Sequence, residues 1–222
     1  MNLITQDMTV LVNPNSRYNG NQYDEVYVRT TIVTNGPVPE EYYVPNGESL
    51  PLAALNLIKS IGLEYRPYRA DKLLEGTENI RESALSGDPV DTVSDSAKLI
   101  LLSALRKQHL TLMAQVGDKF VYDLTYTYKI FPQPNGAYRF EVRLPFDGIE
   151  MVNGSKVKLT VVTPDQATVD PNATIGIDEQ NQEIQETLNV LASSGKSVTE
   201  FTYQLDPFFV VEYNYNPGSQ LV

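Results

Sequence analysis

The 222-residue chain contains no cysteine and a single histidine, His109. Without cysteine there can be no disulfide, no thiolate nucleophile and no cysteine-bound zinc. One histidine cannot supply a site of several histidine ligands. A serine triad would need that same histidine and a G-x-S-x-G nucleophile elbow, which the sequence lacks. We therefore predict no catalytic residue, no metal ligand and no enzymatic activity.

Motifs for nucleotides and features for nucleic acids are missing as well. The sequence has neither a G-x-x-x-x-G-K-[ST] phosphate loop nor a G-x-G-x-x-G turn after a strand. Lys and Arg number 17 against 28 Asp and Glu, and the resulting formal net charge of −11 would repel phosphates. The sequence thus predicts no cofactor and no nucleic-acid partner.

Long apolar segments and a secretory signal are also lacking. No stretch approaches 18 apolar residues, and "MNLITQDMTVLV" has neither the basic start nor the apolar run of a signal peptide. We expect a protein that is made in the cytoplasm and has no membrane partner. The absence of cysteine fits the cytosol and also a particle that persists outside the cell, so the final compartment stays open.

Aromatic residues, by contrast, are dense in "KFVYDLTYTYKIFPQPNGAYRFEVRLPF", residues 119–146. Strand side chains alternate between two faces, and in both halves of this stretch one parity is polar. The "PQPNG" between the halves offers the prolines and the Asn-Gly of a tight turn. These features predict a long amphipathic hairpin over residues 119–145. Its apolar face consists of Phe120, Tyr122, Leu124, Tyr126, Tyr128, Ile130, Tyr138, Phe140, Val142 and Leu144.

Further strands and three helices are predicted from spacing. Residues 24–34 alternate as a strand, and "GIEMVNGSKVKLTVV" predicts another hairpin. A capping serine, an early proline and a following Gly62 predict a helix over residues 50–61, and apolar residues at helical spacing predict helices over 94–108 and 178–194. The fold class is thus α+β with a mostly antiparallel sheet or sandwich, in one domain over residues 1–222 with extended termini.

Two patterns of oxygen-bearing side chains are of the kind that catalysis or metal binding uses. A pair of carboxylates could hydrolyse glycosides, but 28 acidic residues make such pairs expected from composition alone. Residues 170–181 place oxygens at several positions of a calcium loop, but Ile175 and Asn181 stand where glycine and glutamate are needed. We interpret that segment as a surface loop and leave calcium binding open. The candidate carboxylates are Glu40, Glu41, Asp123, Glu141, Asp147 and Glu150.

The length of the hairpin points to contacts with a neighbour. A compact domain of this size is roughly 45 Å across, and a strand from Lys119 to Phe131 would be about 40 Å long. The hairpin therefore spans the domain or projects from it. Exposed edges and aromatic residues invite pairing, so we expect another subunit to cover them.

In general character the chain resembles virion structural proteins of tailed bacteriophages. It is free of cysteine, acidic, without a signal peptide, rich in Asn, Thr and Tyr, and of the α+β class with a long hairpin and extended ends. The resemblance implies ordered homo-oligomerisation in a head, neck or tail. Its partners would be itself and other particle proteins, and it would end up in a virion. The hairpin, residues 1–25 and the tail "FFVVEYNYNPGSQLV" would make the contacts, through Tyr126, Tyr128, Ile130, Tyr138, Phe140, Phe209, Tyr213 and Tyr215.

The sequence is also compatible with two other functions. One is a carbohydrate- or receptor-binding β-rich module, which would use exposed rather than buried aromatic side chains. The other is a carboxylate-dependent glycoside hydrolase.

Overall fold

The fold is seen in a computed structural model of the chain. It describes residues 1–222 except 19–22, 39–40, 47–51, 62, 64–65, 70–72, 74, 76, 78–79, 88, 178–182, 185, 192–195, 204–207 and 216–222. The residues group into two compact units. The sandwich unit comprises Met1–Val38 and Thr111–Val222, and the helical unit comprises Pro39–Leu110. The expectation of a single domain is not tested by this grouping and stays a prediction.

The larger sheet of the sandwich unit has seven strands. The strands are β1 (Leu3–Asn13), β2 (Asp24–Thr34), β6 (Thr111–Val116), β7 (Lys119–Ile130), β9 (Lys156–Val162), β13 (Glu186–Leu191) and β14 (Lys196–Tyr203). Their spatial order is β13-β14-β9-β1-β2-β7-β6. β1 and β9 run parallel to each other, and every other neighbouring pair in this sheet is antiparallel.

The second sheet packs on the first and closes the core of the sandwich unit. In it β15 lies between β8 on one side and β10 and β11 on the other. Phe201 of the first sheet and Phe209 of the second are fully buried, with ring centroids 4.8 Å apart. The strands are β8 (Tyr138–Arg143), β10 (Ala167–Val169), β11 (Ile175–Ile177), β12 (Glu183–Ile184) and β15 (Phe208–Tyr215), and the short helix α1 (Asn15–Tyr18) follows β1.

In its described residues, the helical unit combines three helices with a small sheet. Strand β3 pairs with β4 on one side and β5 on the other. Ile58, Tyr68, Leu73, Leu101 and Leu105 form its buried cluster. Its elements are β3 (Glu41–Pro45), α2 (Leu52–Ser60), β4 (Tyr68–Arg69), α3 (Ile80–Ser86), α4 (Pro89–Ser103) and β5 (Leu105–His109).

The α+β, mostly sheet class predicted from the sequence is confirmed. The first predicted helix, 50–61, corresponds to α2, although residues 50 and 51 lie outside the described part. The second, 94–108, begins earlier at Pro89, because proline is tolerated in a first turn. It ends at Ser103, because Leu105–His109 pairs with β3 over five positions. Tertiary pairing here overrides a helical pattern that has no stop signal.

The third predicted helix, 178–194, is wrong where the structure describes it. Glu186–Leu191 is strand β13 and pairs antiparallel with β14 over six positions. Residues 178–182, 185 and 192–194 lie outside the described part. Apolar residues three and four apart fit a helix face, but a ladder of long-range partners cannot be seen in that spacing.

The predicted hairpin over 119–145 is also wrong as a pair of strands. The turn itself forms: Gly136 has φ 83°, and the Gln133 amide donates to the Ala137 carbonyl at 2.7 Å. Beyond one bridge between Pro132 and Tyr138, however, the two strands separate into different sheets. β7 pairs with β2 and β6, and β8 pairs with β15. The predicted alternation holds, since the apolar parity of each strand faces the core.

The N-terminal segment is not an extended arm in this structure. β1 lies inside the larger sheet, paired along its length with β2 on one side and with β9 on the other. Four of its apolar side chains are buried, namely Leu3, Met8, Val10 and Val12. Residues 3–13 therefore belong to the core of the sandwich unit, and their assignment as an assembly contact needs correction.

Candidate assembly surface

The edge of the seven-stranded sheet at β6 is the most exposed strand in the described residues. All six residues from Thr111 to Val116 are exposed. Leu112, Met113 and Val116 retain 51%, 60% and 70% of their accessible surface. Apolar side chains in a sheet are usually covered by a second layer. At β6 they are open, whereas β9, β1, β2 and β7 bury alternate residues.

The pairing of β6 with β7 is interrupted by a bulge at Met113. Leu112 lies opposite Tyr122 and Ala114 opposite Val121, so one residue of β6 has no counterpart. A bulge shifts the following side chains to the other face of the sheet. Leu112 and Gln115 therefore share the face of Tyr122, whereas Thr111, Ala114 and Val116 lie on the opposite face.

The outer side of β6 lacks most of the features that protect an edge strand. Natural sheets guard their edges with charged residues, prolines, bulges or a covering element, and of these β6 has the bulge at Met113. The sequence "TLMAQV" has no charge and no proline. Within the described part of the chain, β6 pairs with β7 alone. Its outward N–H and C=O groups can therefore accept another strand, which is how extended segments add to a sheet.

A buried carboxylate lies elsewhere in the sandwich unit. Asp24, at the start of β2, has none of its surface exposed. Its Oδ1 accepts from the Ser16 hydroxyl at 2.6 Å and the Ser16 amide at 3.1 Å. Its Oδ2 accepts from the hydroxyls of Tyr213 at 2.6 Å and Tyr215 at 2.8 Å. Four donors thus satisfy this carboxylate, and two of them come from β15 in the other sheet.

The tyrosines of this network are held in their protonated form. Burial, followed by the Asp24 carboxylate, raises the pKa of Tyr213 well above its usual value. The same two causes raise the pKa of Tyr215. Both hydroxyls therefore remain donors to Asp24 over the physiological range. An acceptor that is fully occupied by fixed donors is suited to joining two sheets, which is a structural role.

The structure places the predicted assembly contacts inside the chain. Seven of the eight side chains are buried, and Tyr215 is partly buried against Asp24. Their rings pack on each other: Tyr138 stacks on Tyr213 at 5.3 Å, and Tyr126 on Tyr128 at 6.2 Å. These residues form the core of the sandwich unit, so their assignment as contacts to a neighbour needs correction. The buried set is Tyr126, Tyr128, Ile130, Tyr138, Phe140, Phe209 and Tyr213.

Neither a protein-family model nor a curated protein sequence matches this chain. Its function must therefore be argued from its own residues. No helix within the described residues has the length and apolar character needed to cross a membrane. The described residues also contain no group of three or more His, Asp or Glu side chains placed to hold a metal ion.

The candidate carboxylates are spread over both units, and several are paired with cations. Asp123 accepts from Arg29 at 3.2 Å. A hydrogen bond from Lys107 lowers the pKa of Glu41, whereas a general acid needs a raised pKa. His109 lies 3.8 Å from Glu41 and is exposed. Glu40 lies outside the described residues.

In the calcium-like segment, Thr174 is buried and its hydroxyl is already used. It accepts from the Glu212 amide at 3.1 Å and donates to the Glu212 carbonyl at 3.2 Å. The Oδ1 of Asp170 accepts from the Asn172 amide at 2.8 Å, as in a turn. Residues 178–181 lie outside the described part.

Sequence reasoning missed both β6 and Asp24. For β6 the signal was present, because "TLMAQV" is a charge-free apolar run of strand length. For Asp24 it was weaker: the acid shares the even parity of Val26, Val28 and Ile32, which marks it as facing the core. Its tyrosine partners lie 189 and 191 residues away, so the network itself could not be seen.

Proposed function

We propose that this chain is a non-enzymatic structural protein that acts by homo-oligomeric assembly. The observation that carries the proposal is the β6 edge, where a strand without charge or proline exposes Leu112, Met113 and Val116. Such an edge is a liability for a free monomer, because it invites pairing with another chain. A protein that assembles through strand pairing needs such an exposed edge.

Within this proposal, the particle is a bacteriophage virion, in which the chain would be a component of the head, neck or tail. The resemblance in general character supports this finer assignment, since the chain combines an acidic, cysteine-free composition with a β-rich fold. The partners would be further copies of the chain and other particle proteins. Assembly through an exposed strand edge is compatible with each of these locations.

The experiment that tests assembly compares two valine substitutions. Light scattering and electron microscopy of the purified wild-type protein should show oligomers at high concentration. Val116→Glu places a charge on the β6 edge, opposite Lys119 of the same chain, and should shift the population to monomer. Val152→Glu is the matched control, since Val152 is also exposed but lies in a turn away from β6. A wild-type protein that stays monomeric at all concentrations, also with particle components added, would contradict the proposal.

A second candidate function, a carbohydrate-binding module, is favoured by one exposed and one half-buried aromatic residue that lie side by side. Phe131 is exposed, and its ring centroid lies 6.0 Å from that of Tyr23. The Lys129 Nζ lies 4.6 Å from the centre of the Tyr23 ring. Aromatic faces beside a cation can stack on sugars. A glycan-array signal that is lost in Phe131→Ala and kept in Tyr27→Ala, an exposed control on the sheet, would favour this function.

A further inference from the structure

We propose that β6 pairs with β6 of a second copy, antiparallel and in one register, so that Thr111 lies opposite Val116 and Leu112 opposite Gln115 of the other chain. This inference rests on the proposed assembly function and specifies its contact. The pairing follows a two-fold axis perpendicular to the sheet, which makes the two contact surfaces identical. It would continue the seven-stranded sheet of each copy into its neighbour.

Charge supports the choice of a second copy as the occupant. In a symmetric antiparallel pair a strand meets its own sequence, so a charged residue near the axis is brought close to its own copy, and like charges in opposition are unfavourable. Thr111–Val116 contains no charged residue at all. The chain as a whole carries −11, so an uncharged strand is a place where two copies can approach each other.

The bulge selects the register. Residues directly opposite each other in an antiparallel pair share a face of the sheet. On β6, Thr111, Ala114 and Val116 occupy one face and Leu112 and Gln115 the other. Three antiparallel registers would pair five or six residues of each strand. Only the six-residue register matches faces at both outer positions, with Thr111 on Val116 and Leu112 on Gln115, and it leaves the bulged Met113 beside the axis.

The two neighbouring registers fail on the same criterion. One of them sets Leu112 opposite Val116, and the other sets Thr111 opposite Gln115. In both, residues from different faces would have to meet. A strand without the bulge would alternate evenly, and it would match faces in the two five-residue registers and not in the six-residue one. Because of the bulge, the exposed edge strand has a single preferred register with a second copy, whereas other edge strands can pair in several.

The cysteine-free chain makes the register directly testable. Full-length Leu112→Cys and Gln115→Cys variants are mixed, oxidised with copper phenanthroline and separated on a non-reducing gel. A cross-linked dimer is expected in the mixture and not in either variant alone, because neither residue faces itself. Opposite Cβ atoms lie about 5 Å apart in such pairs, close to disulfide distance. The mixture of Thr111→Cys and Val116→Cys should behave in the same way.

Both mixtures are used because neighbouring positions alternate between wide and narrow pairs. One of the two must be the narrow kind, which cross-links more readily. Leu112→Cys mixed with Val152→Cys is the control and should give no dimer, since Val152 lies away from the edge. Light scattering on the same samples reports whether oligomers are present at all.

Three outcomes would overturn the inference in different ways. Cross-linking of Ala114→Cys with itself, without dimer in either mixture, would show a different register. Oligomers that give no cross-link at any β6 position would exclude β6 self-pairing, for instance in favour of β6 against β13, and would leave assembly as the function. Samples without oligomers at any concentration would remove both the contact and the proposed function.

Discussion

The Asp24 network allows a quantitative prediction about what holds the two sheets together. Tyr213 lies on β15 in one sheet and donates to Asp24 on β2 in the other at 2.6 Å. A hydrogen bond to a charged acceptor contributes about 1.5–3 kcal/mol, and this one is fully buried. Tyr213→Phe removes the hydroxyl and keeps the ring that stacks on Tyr138. We expect it to lower the free energy of unfolding by about 2 kcal/mol.

A double-mutant cycle tests whether the stability lost in Tyr213→Phe comes from the hydrogen bond to Asp24. In an Asp24→Ala background the Tyr213 hydroxyl has already lost its acceptor, so Tyr213→Phe should cost less than about 0.5 kcal/mol there. The coupling energy between the two positions is then close to 2 kcal/mol, about the cost of the single change. If Asp24→Ala does not fold, Tyr215→Phe replaces it as the partner. Its hydroxyl shares Oδ2 with that of Tyr213, so the two changes should not be additive.

Urea denaturation followed by far-ultraviolet circular dichroism measures these differences. The slope of the free energy against urea should stay constant, since no change alters the buried surface greatly. Tyr27→Phe, on an exposed tyrosine, is the control and should lie within about 0.5 kcal/mol of the wild type. A cost of Tyr213→Phe no larger than that of the control, or costs that add fully in the double variant, would refute the reasoning.

Three further predictions concern assembly, pH and the helical unit. Self-association should strengthen as salt rises from 10 to 150 mM in sedimentation equilibrium, because each copy carries −11 and the screening length falls from about 30 to 8 Å; weakening would indicate attraction between charges. Burial raises the pKa of Tyr126 well above its usual 10.0, so its contribution to stability is complete below pH 10.0 and is lost above it. In urea titrations at alkaline pH, Tyr126→Phe should therefore reduce the fall of the unfolding free energy with pH by up to about 1.4 kcal/mol per pH unit. An unchanged slope of unfolding free energy against pH would contradict this. Leu101→Ala in the buried cluster of α4 should cost about 2–5 kcal/mol in urea denaturation, against under about 1 for exposed Leu99→Ala, and equal costs would argue against the described packing.

The sequence predictions that hold depend on residues that are neighbours in the chain. Those that fail depend on pairing between segments that are far apart in the sequence. The alternation of β7 and β8 and the Asn135-Gly136 turn depend on neighbouring residues, and the structure has both. The pairing of these strands depends on which other strands compete for them. β7 finds eleven partner positions in β2, and β8 finds six in β15. A turn that reverses the chain was therefore not evidence for a hairpin.

The same limit applies to the candidate site. Aromatic residues at a core and at an interface look alike in a sequence, because both environments select large apolar side chains. Burial in the structure distinguishes the two environments and identifies Tyr126, Tyr128 and Tyr138 as core residues. The exposed edge consists instead of Leu112, Met113 and Val116, which are few and lie in a short segment. Under the proposed function, the charge-free edge strand is the sequence signal for assembly, and the aromatic density is a signal for the core.

The size of the β6 edge also predicts how strong one contact can be. Two six-residue strands would form about six hydrogen bonds, each contributing about 0.5–1.5 kcal/mol. Their sum, roughly 3–9 kcal/mol, is comparable to the 4–15 kcal/mol that association costs in lost freedom. Burial of Leu112, Met113 and Val116 adds to it, but the area stays below that of a standard stable interface. A single β6 pair should therefore be weak in dilute solution. A larger assembly would gain its strength from other contacts that each copy makes at the same time as the β6 pair.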